Sequence, residues 1–204
     1  MLRYKNYRRG DNMSFVSAIG GNKFLSVVTD GRVTYEGKII KEDYQKFRMI
    51  GDNIVVAFAG DRAAAEGIWN MLIKERVMKQ EFSITANDIK NELNNNPKLK
   101  RYKLIWLLGG INQKGQIEFV IVSTEEDEVK RFVPEETDSN LVTYYIFNLK
   151  DQSIISPERL HKKFLYFLDR ENQNIGNAQL RLNNYVAKLD YTVNKNIYQA
   201  LIEK

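Results

Sequence analysis

The hydrophobic positions in the first third of the chain follow the pattern of β-strands. Segments rich in valine, isoleucine and aromatic residues alternate with short turn-forming clusters such as Gly20-Gly21-Asn22 and Gly51-Asp52-Asn53. Glycine and asparagine favour turns because they adopt positive φ at low cost. We therefore predict five strands with a polar connection between the third and the fourth, at residues 15–19, 24–29, 32–35, 47–50 and 54–58.

A helical repeat then replaces the strand pattern. Apolar residues recur at helical spacing over residues 61–78, which predicts a first helix. A second helix is expected around residue 89, with Thr85 as its N-cap and an acidic residue three positions later. Pro97 is expected to end this helical pair because proline cannot continue a helix.

The second half of the chain contains segments with the strand pattern and segments with the helical repeat. Residues 104–108 and 116–122 predict a hairpin, and residues 156–169 predict an amphipathic helix with proline near its start. Alternation over residues 185–191 suggests a late strand, and residues 197–202 fit either a short helix or a short strand. Runs of strands interrupted by helices indicate a layered α+β architecture and disfavour a doubly wound parallel sheet.

The composition limits the classes of protein to consider. A chain of 204 residues with 43% hydrophobic positions is long enough for one globular domain with a sizeable core. It has no cysteine, which excludes disulfides, thiolate metal sites and cysteine nucleophiles and fits a reducing compartment such as the cytoplasm. No apolar run approaches the roughly 18 residues of a membrane-spanning helix, so the sequence predicts no association with a membrane.

Residues 1–13 form a basic leader. Four basic residues against one aspartate give the leader a charge of +3 out of the total of +5, so the rest of the chain carries only +2. The leader lacks the apolar segment of a secretory signal, and we interpret it as a disordered or untranslated tail before a single domain at residues 14–204. No basic stripe is interleaved with aromatic residues, so binding of nucleic acid is a weak alternative.

Four residues after the leader are spaced in a specific order. Asp30, in an Asp-Gly turn, lies sixteen positions after Ser14, and Lys46 lies sixteen positions after Asp30. Gly60 follows fourteen positions later, at the end of an apolar segment. In this order and spacing, the segment resembles the first half of proteasome β-type subunits and of the proteasome-like protease HslV, which are N-terminal-nucleophile hydrolases. The resemblance implies an α+β fold, a four-layer αββα sandwich.

The resemblance also implies a mechanism. Ser14 would attack an acyl carbonyl while its own free α-amine, with an ordinary pKa of about 7.7 to 8.0, serves as general base. Lys46, kept charged by Asp30, would tune that amine. The backbone N–H of Gly60 would stabilise the oxyanion, and Thr34 would line the substrate cleft through its backbone.

This mechanism requires Ser14 to be the N-terminal residue, because an amide nitrogen cannot accept the proton. Translation from Met13 followed by removal of the initiator methionine would expose the amine. Translation from Met1 would require cleavage of the Met13–Ser14 bond.

The second half of the chain departs from the family pattern. The family carries a Gly-Ser-Gly step before its third helix, and the corresponding stretch, expected at residues 132–145, has no such motif and offers only Ser139. Of the Asp and Ser that the family places after its fourth helix, only Asp169 has a candidate counterpart. His161, the only histidine, lies on a predicted helix without a nucleophile elbow, so a surface position is expected in place of a Ser-His-Asp triad.

Two functions therefore stay open at the level of sequence. The first is a cytoplasmic N-terminal-serine hydrolase that acts on peptide or protein substrates without a metal or organic cofactor. The second is a catalytically inactive structural or interaction protein of the same fold, comparable to proteasome α-type subunits. By resemblance, either would assemble as a homo-oligomeric ring, and a protease would have an ATP-driven AAA+ unfoldase as a candidate partner.

Overall fold

The computed structural model describes residues 14–70, 77–96, 99, 102–135, 141–147 and 155–204. Within these ranges the chain forms two antiparallel sheets, a separate hairpin and four α-helices. The strands are β1 (Phe15–Gly21), β2 (Phe24–Asp30), β3 (Val33–Tyr35), β4 (Lys38–Lys41), β5 (Phe47–Ile50), β6 (Ile54–Gly60), β7 (Leu104–Ile111), β8 (Ile117–Ser123), β9 (Lys130–Phe132), β10 (Val142–Phe147) and β11 (Ile197–Glu203). The helices are α1 (Arg62–Ile68), α2 (Phe82–Asn95), α3 (Pro157–Arg170) and α4 (Ile175–Leu189).

The two sheets differ in how they use the N-terminal strand. Sheet I has the strand order β10-β1-β2-β11, so β1 is an interior strand with an antiparallel partner on each side. Sheet II has the order β5-β6-β7-β8-β9, and β3 pairs with β4 in the separate hairpin. Strands β1, β6 and β8 are buried along their whole length, which explains why their sequences are nearly continuous apolar runs.

Three apolar cores separate four layers. Alternate residues of β6 point to opposite faces of sheet II: Val56 belongs to a core shared with α1 and α2, and Val55 belongs to a core between the two sheets. On the other side of sheet I, Phe15 and Ile19 of β1 pack against α3 and α4. The layers therefore run α1 and α2, sheet II, sheet I, α3 and α4. This is the αββα sandwich that the resemblance to proteasome subunits implies.

Most of the predicted elements of the first sixty residues are present. Strands β1, β2, β3, β5 and β6 match the five predicted segments to within a few residues, and the residues predicted as a polar connection contain the additional strand β4. The first helix is described as α1, capped by the Asp61 side chain, which accepts a hydrogen bond from the Ala64 N–H at 2.9 Å. Residues 71–76 of the predicted helix, and Pro97, lie outside the described residues.

Two predictions for the helical layers are wrong. Thr85 is a buried interior residue of α2, which begins at Phe82, so it is not the N-cap. Residues 185–191 lie mostly in helix α4, whose buried residues Leu182 and Val186 are four apart on one face. The alternation in that segment is therefore a short part of a helical repeat.

The remaining elements of the second half agree in part. The hairpin at residues 104–122 and the helix at 156–169 are confirmed as β7–β8 and α3, and the Ser156 side chain caps α3. Residues 197–202 form β11, an edge strand of sheet I. Strands β9 and β10 were not predicted. No helix in the part of the chain that the structure describes is long and apolar enough to cross a membrane.

Candidate active site

A buried ion pair joins the last residue of β2 to the residue that precedes β5. Lys46 Nζ lies 2.7 Å from Asp30 Oδ1, and the two side chains are 3% and 0% exposed. The same carboxylate accepts hydrogen bonds from the backbone N–H of Phe15 and of Arg32, each at 2.9 Å. Asp30 therefore fixes the first residue of β1 and the turn into β3 relative to the Lys46 ammonium.

Four of the predicted site residues line one narrow cleft at this end of β1. These are Ser14, Thr34, Lys46 and Gly60, and Asp30 lies beneath them as the partner of Lys46. Ser14 immediately precedes the Phe15 amide that Asp30 binds, so the ion pair and the serine are held by adjacent peptide units. The structure thus brings all five predicted residues together.

Gly60 occupies a backbone conformation that other residues rarely adopt. It ends β6 with φ of +112°. A Cβ atom at this position would lie 1.8 Å from the carbonyl oxygen of Lys103, which is far inside van der Waals contact. The cleft therefore depends on glycine here for both its φ and its space.

Larger side chains that sequence reasoning missed form the wall of the cleft. Tyr44, Phe58 and Arg62 line it together with the predicted residues. The Tyr44 and Phe58 rings meet edge to face at a centroid distance of 6.3 Å, and the Arg62 guanidinium lies 5.4 Å from the centre of the Tyr44 ring. Phe58 sits in an apolar strand and Tyr44 in a polar loop, so neither carries a sequence signal for a cleft.

A loop from the far end of the chain supports the Asp30 turn. Asn194, after α4, accepts a hydrogen bond from the Gly31 N–H at 3.0 Å and donates to the backbone oxygen of Glu42 at 2.7 Å. Arg32 donates to the two carboxylate oxygens of Glu42 through Nε and Nη2, each at 2.9 Å, and its Nη1 donates to the backbone oxygen of Tyr191. Residues more than 150 positions apart thus hold the turn, a contact that sequence spacing cannot indicate.

Burial and pairing shift the pKa values of two groups around the site. Burial lowers the pKa of the Lys46 ammonium, and the ion pair with Asp30 opposes that shift. The hydrogen bond from Arg32 lowers the pKa of the Glu42 carboxyl, so this carboxylate stays ionised. The cation beside Ser14 therefore depends on Asp30 for its charge.

The candidates from the second half of the sequence are not at this site. Asp169 is exposed on α3, and the loop after α4 contacts the Asp30 turn instead. Ser139 lies outside the described residues. His161 is half-buried on α3, with its Nδ1 3.1 Å from Thr143 Oγ1, and both line a separate open groove of about 630 Å³. This groove runs along β10 and α3 and does not include the predicted site residues.

The expected position of the Gly-Ser-Gly step is corrected by the strand register. Residues 132–145, the expected position of the step, contain the end of β9 and most of β10. Phe147, the last residue of β10, pairs with Phe15, so the chain reaches the Ser14 end of β1 only there. The residues that come next, 148–154, lie outside the described residues.

A structural comparison and a family-model comparison both relate this chain to proteasome-like proteins. The structure matches the crystal structure of eukaryotic HslV from Trypanosoma brucei with a TM-score of 0.68 at 15% sequence identity, covering 93% of this chain and 99% of that chain. This similarity shows a shared fold. No curated protein sequence matches the chain. A family model described as the proteasome subunit matches residues 14–115, which is half of the sequence, and this chain therefore belongs to the proteasome subunit family.

Proposed function

We propose that the chain is an N-terminal-serine hydrolase of peptide bonds, with residues 14–204 as its mature form. Ser14 is the nucleophile, and its α-amine is the general base. The observation that carries this proposal is the buried Asp30–Lys46 ion pair next to Ser14, because it supplies a fixed positive charge where the mechanism needs one.

The reaction divides into two acyl transfers. The Ser14 hydroxyl gives its proton to the α-amine as its oxygen forms a bond to the scissile carbonyl carbon. The proton then passes to the leaving nitrogen as the C–N bond breaks, which leaves an acyl ester on Ser14. Water, deprotonated by the same amine, hydrolyses the ester and restores the free hydroxyl.

Lys46 acts on this chemistry through its charge. A nearby ammonium disfavours a second positive charge, so it lowers the pKa of the α-amine and keeps that base neutral near pH 7. Asp30 sets the position of Lys46 and of the Phe15 amide. The Gly60 N–H is assigned to the oxyanion, where loss of one donor typically reduces kcat by about 100-fold to 1000-fold. Thr34 contributes its backbone to the extended substrate.

Family membership supports a homo-oligomeric assembly. We propose a homo-oligomeric ring in the cytoplasm with an ATP-driven unfoldase as the partner that supplies unfolded protein. The alternative is an inactive member of the fold with a structural role. It is favoured by the small size of the cavity beside Ser14, about 10 Å³, and by the thirteen residues that precede Ser14 in the sequence.

The N-terminus of the protein in its native cells separates these two functions. We expect the intact mass and the N-terminal residue to show a chain that begins at Ser14. A chain expressed from Met13 should hydrolyse peptide amides, Ser14→Ala should abolish hydrolysis, and Ser14→Thr should restore part of it because threonine keeps both the hydroxyl and the amine.

Either of two results would contradict the hydrolase. One is a native chain that retains residues 1–13, since its Ser14 nitrogen would be an amide. The other is a chain that begins at Ser14 and whose hydrolysis is unchanged in Ser14→Ala. The inactive alternative predicts the first result.

A further inference from the structure

The cavity beside Ser14 is small. Its volume is about 10 Å³, enough for one water molecule and too little for a branched side chain. Tyr44 and Phe58 are the two aromatic side chains that line it. The residue that precedes the scissile bond must enter the space beside the nucleophile, so these two rings limit what that residue can be.

Neither ring is free to move aside. Phe58 is 7% exposed and packs on Trp106 at a centroid distance of 5.4 Å, as part of the core between sheet II and the helices. The Tyr44 hydroxyl donates to Glu66 Oε1 at 2.7 Å, and the Tyr44 backbone N–H donates to the Gly31 carbonyl at 2.8 Å. Displacing either ring would break packing or a hydrogen bond.

The protonation state of the Tyr44 hydroxyl also favours a fixed position of the ring. Burial, together with the hydrogen bond to Glu66, raises the pKa of Tyr44 to about 12. The phenol therefore stays neutral at physiological pH and remains a donor to the carboxylate. The Arg62 guanidinium lies over one face of the ring. Tyr44 is thus held in place through its backbone, its hydroxyl group and one face of its ring.

We propose that the site accepts only substrates with a small residue, glycine, alanine or serine, on the acyl side of the scissile bond. This inference rests on the proposed function and specifies its substrate class. One methylene more than a pocket can hold typically changes kcat/KM by about 10-fold to 200-fold. Leucine and phenylalanine substrates should therefore be cleaved at least about 10-fold less efficiently than alanine substrates.

The test uses a matched series of fluorogenic peptide amides that differ only in the last residue, which is alanine, valine, leucine or phenylalanine. The enzyme is the chain whose N-terminus is Ser14. We expect kcat/KM to fall along the series. Tyr44→Ala should raise the leucine-to-alanine ratio of kcat/KM at least about 10-fold, whereas Tyr44→Phe, which keeps the ring, should retain the preference for alanine. Tyr166→Ala, at an exposed tyrosine on α3, is the matched control and should leave the ratio unchanged.

The size limit is wrong if the unmodified enzyme cleaves the leucine or phenylalanine substrate as efficiently as the alanine substrate. An unchanged ratio in Tyr44→Ala would overturn it too. If Tyr44→Ala does not fold, the peptide series measured on the unmodified enzyme is sufficient to test the size limit.

A second measurement separates this proposal from the proposed function. The acetyl group of p-nitrophenyl acetate is small enough to test Ser14 as a nucleophile, with the adduct located by mass spectrometry. Acetylation of Ser14 combined with a preference for leucine would refute the size limit and leave the nucleophile in place. If Ser14 is not acetylated and no peptide is cleaved, the proposed function fails and the size limit falls with it.

Discussion

Replacing Lys46 by methionine leaves the Asp30 carboxylate buried without its counter-ion. Loss of one partner from a buried pair typically costs about 3 to 5 kcal/mol of unfolding free energy. Asp30 keeps its two bonds from backbone N–H groups, which favours the lower end, about 3 kcal/mol. A domain of this size is typically stable by about 5 to 15 kcal/mol, so the variant should still fold.

The magnitude is checked by a double-mutant cycle in urea, followed by the fluorescence of the two tryptophans. Asp30→Asn alone leaves an unpaired buried ammonium and should cost a similar amount. Combined with Lys46→Met, it removes both charges, so the double variant should be more stable than the sum of the single effects by at least about 2 kcal/mol. Lys103→Met is the control, because its ion pair with Glu125 is half-exposed and contributes at most about 1 kcal/mol. A cost below about 1 kcal/mol for Lys46→Met, or strictly additive effects, would refute the reasoning.

Three further outcomes are expected. Gly60→Ala should lower the unfolding free energy by about 2 to 5 kcal/mol in thermal or urea unfolding, because of its φ and the close backbone oxygen, whereas Gly67→Ala, in open space on α1, should be neutral or slightly stabilising. The pKa of Tyr44 is about 12 in the folded state and about 10 when unfolded, so the unfolded state loses its proton first and stability should fall between pH 10 and 12; a pH series should show a smaller fall for Tyr44→Phe. Asn194→Ala should cost about 1 to 3 kcal/mol in urea unfolding by leaving the buried Gly31 N–H unpaired, and no loss would contradict the supporting role of this loop.

The sequence predicts the first sixty residues well because local signals agree there. Turns built on glycine and asparagine separate apolar strands, and the strands that follow them, β2 and β6, are buried on both faces. The spacing of Ser14, Asp30, Lys46 and Gly60 could be recognised because each residue lies at a strand end or turn that local pattern already marks. The structure then brings these residues together.

The rest of the site depends on contacts that leave no local trace. Asn194 meets Gly31 only because α4 returns the chain across sheet I, and Phe58 resembles any other core aromatic until its neighbours are known. Strand β9 has only three residues, two of them charged, so it resembles a loop. Strand β10 is rich in β-branched and aromatic residues, which favour a strand, and sequence reasoning missed it. The strand predicted at 185–191 is wrong because its alternation covers too few residues to distinguish a strand from a helix.

The placement of β1 inside sheet I has a consequence for the ordering of the site. Chain termini usually fray, but a mature chain that begins at Ser14 would start one residue before a strand bonded on both sides, with its first strand amide tied to Asp30. The conformational freedom of such a terminus is lost when the sheet forms, long before any substrate arrives. Binding would then need to immobilise only the substrate. The entropic cost of aligning the amine, the hydroxyl and the ammonium would already have been met during folding.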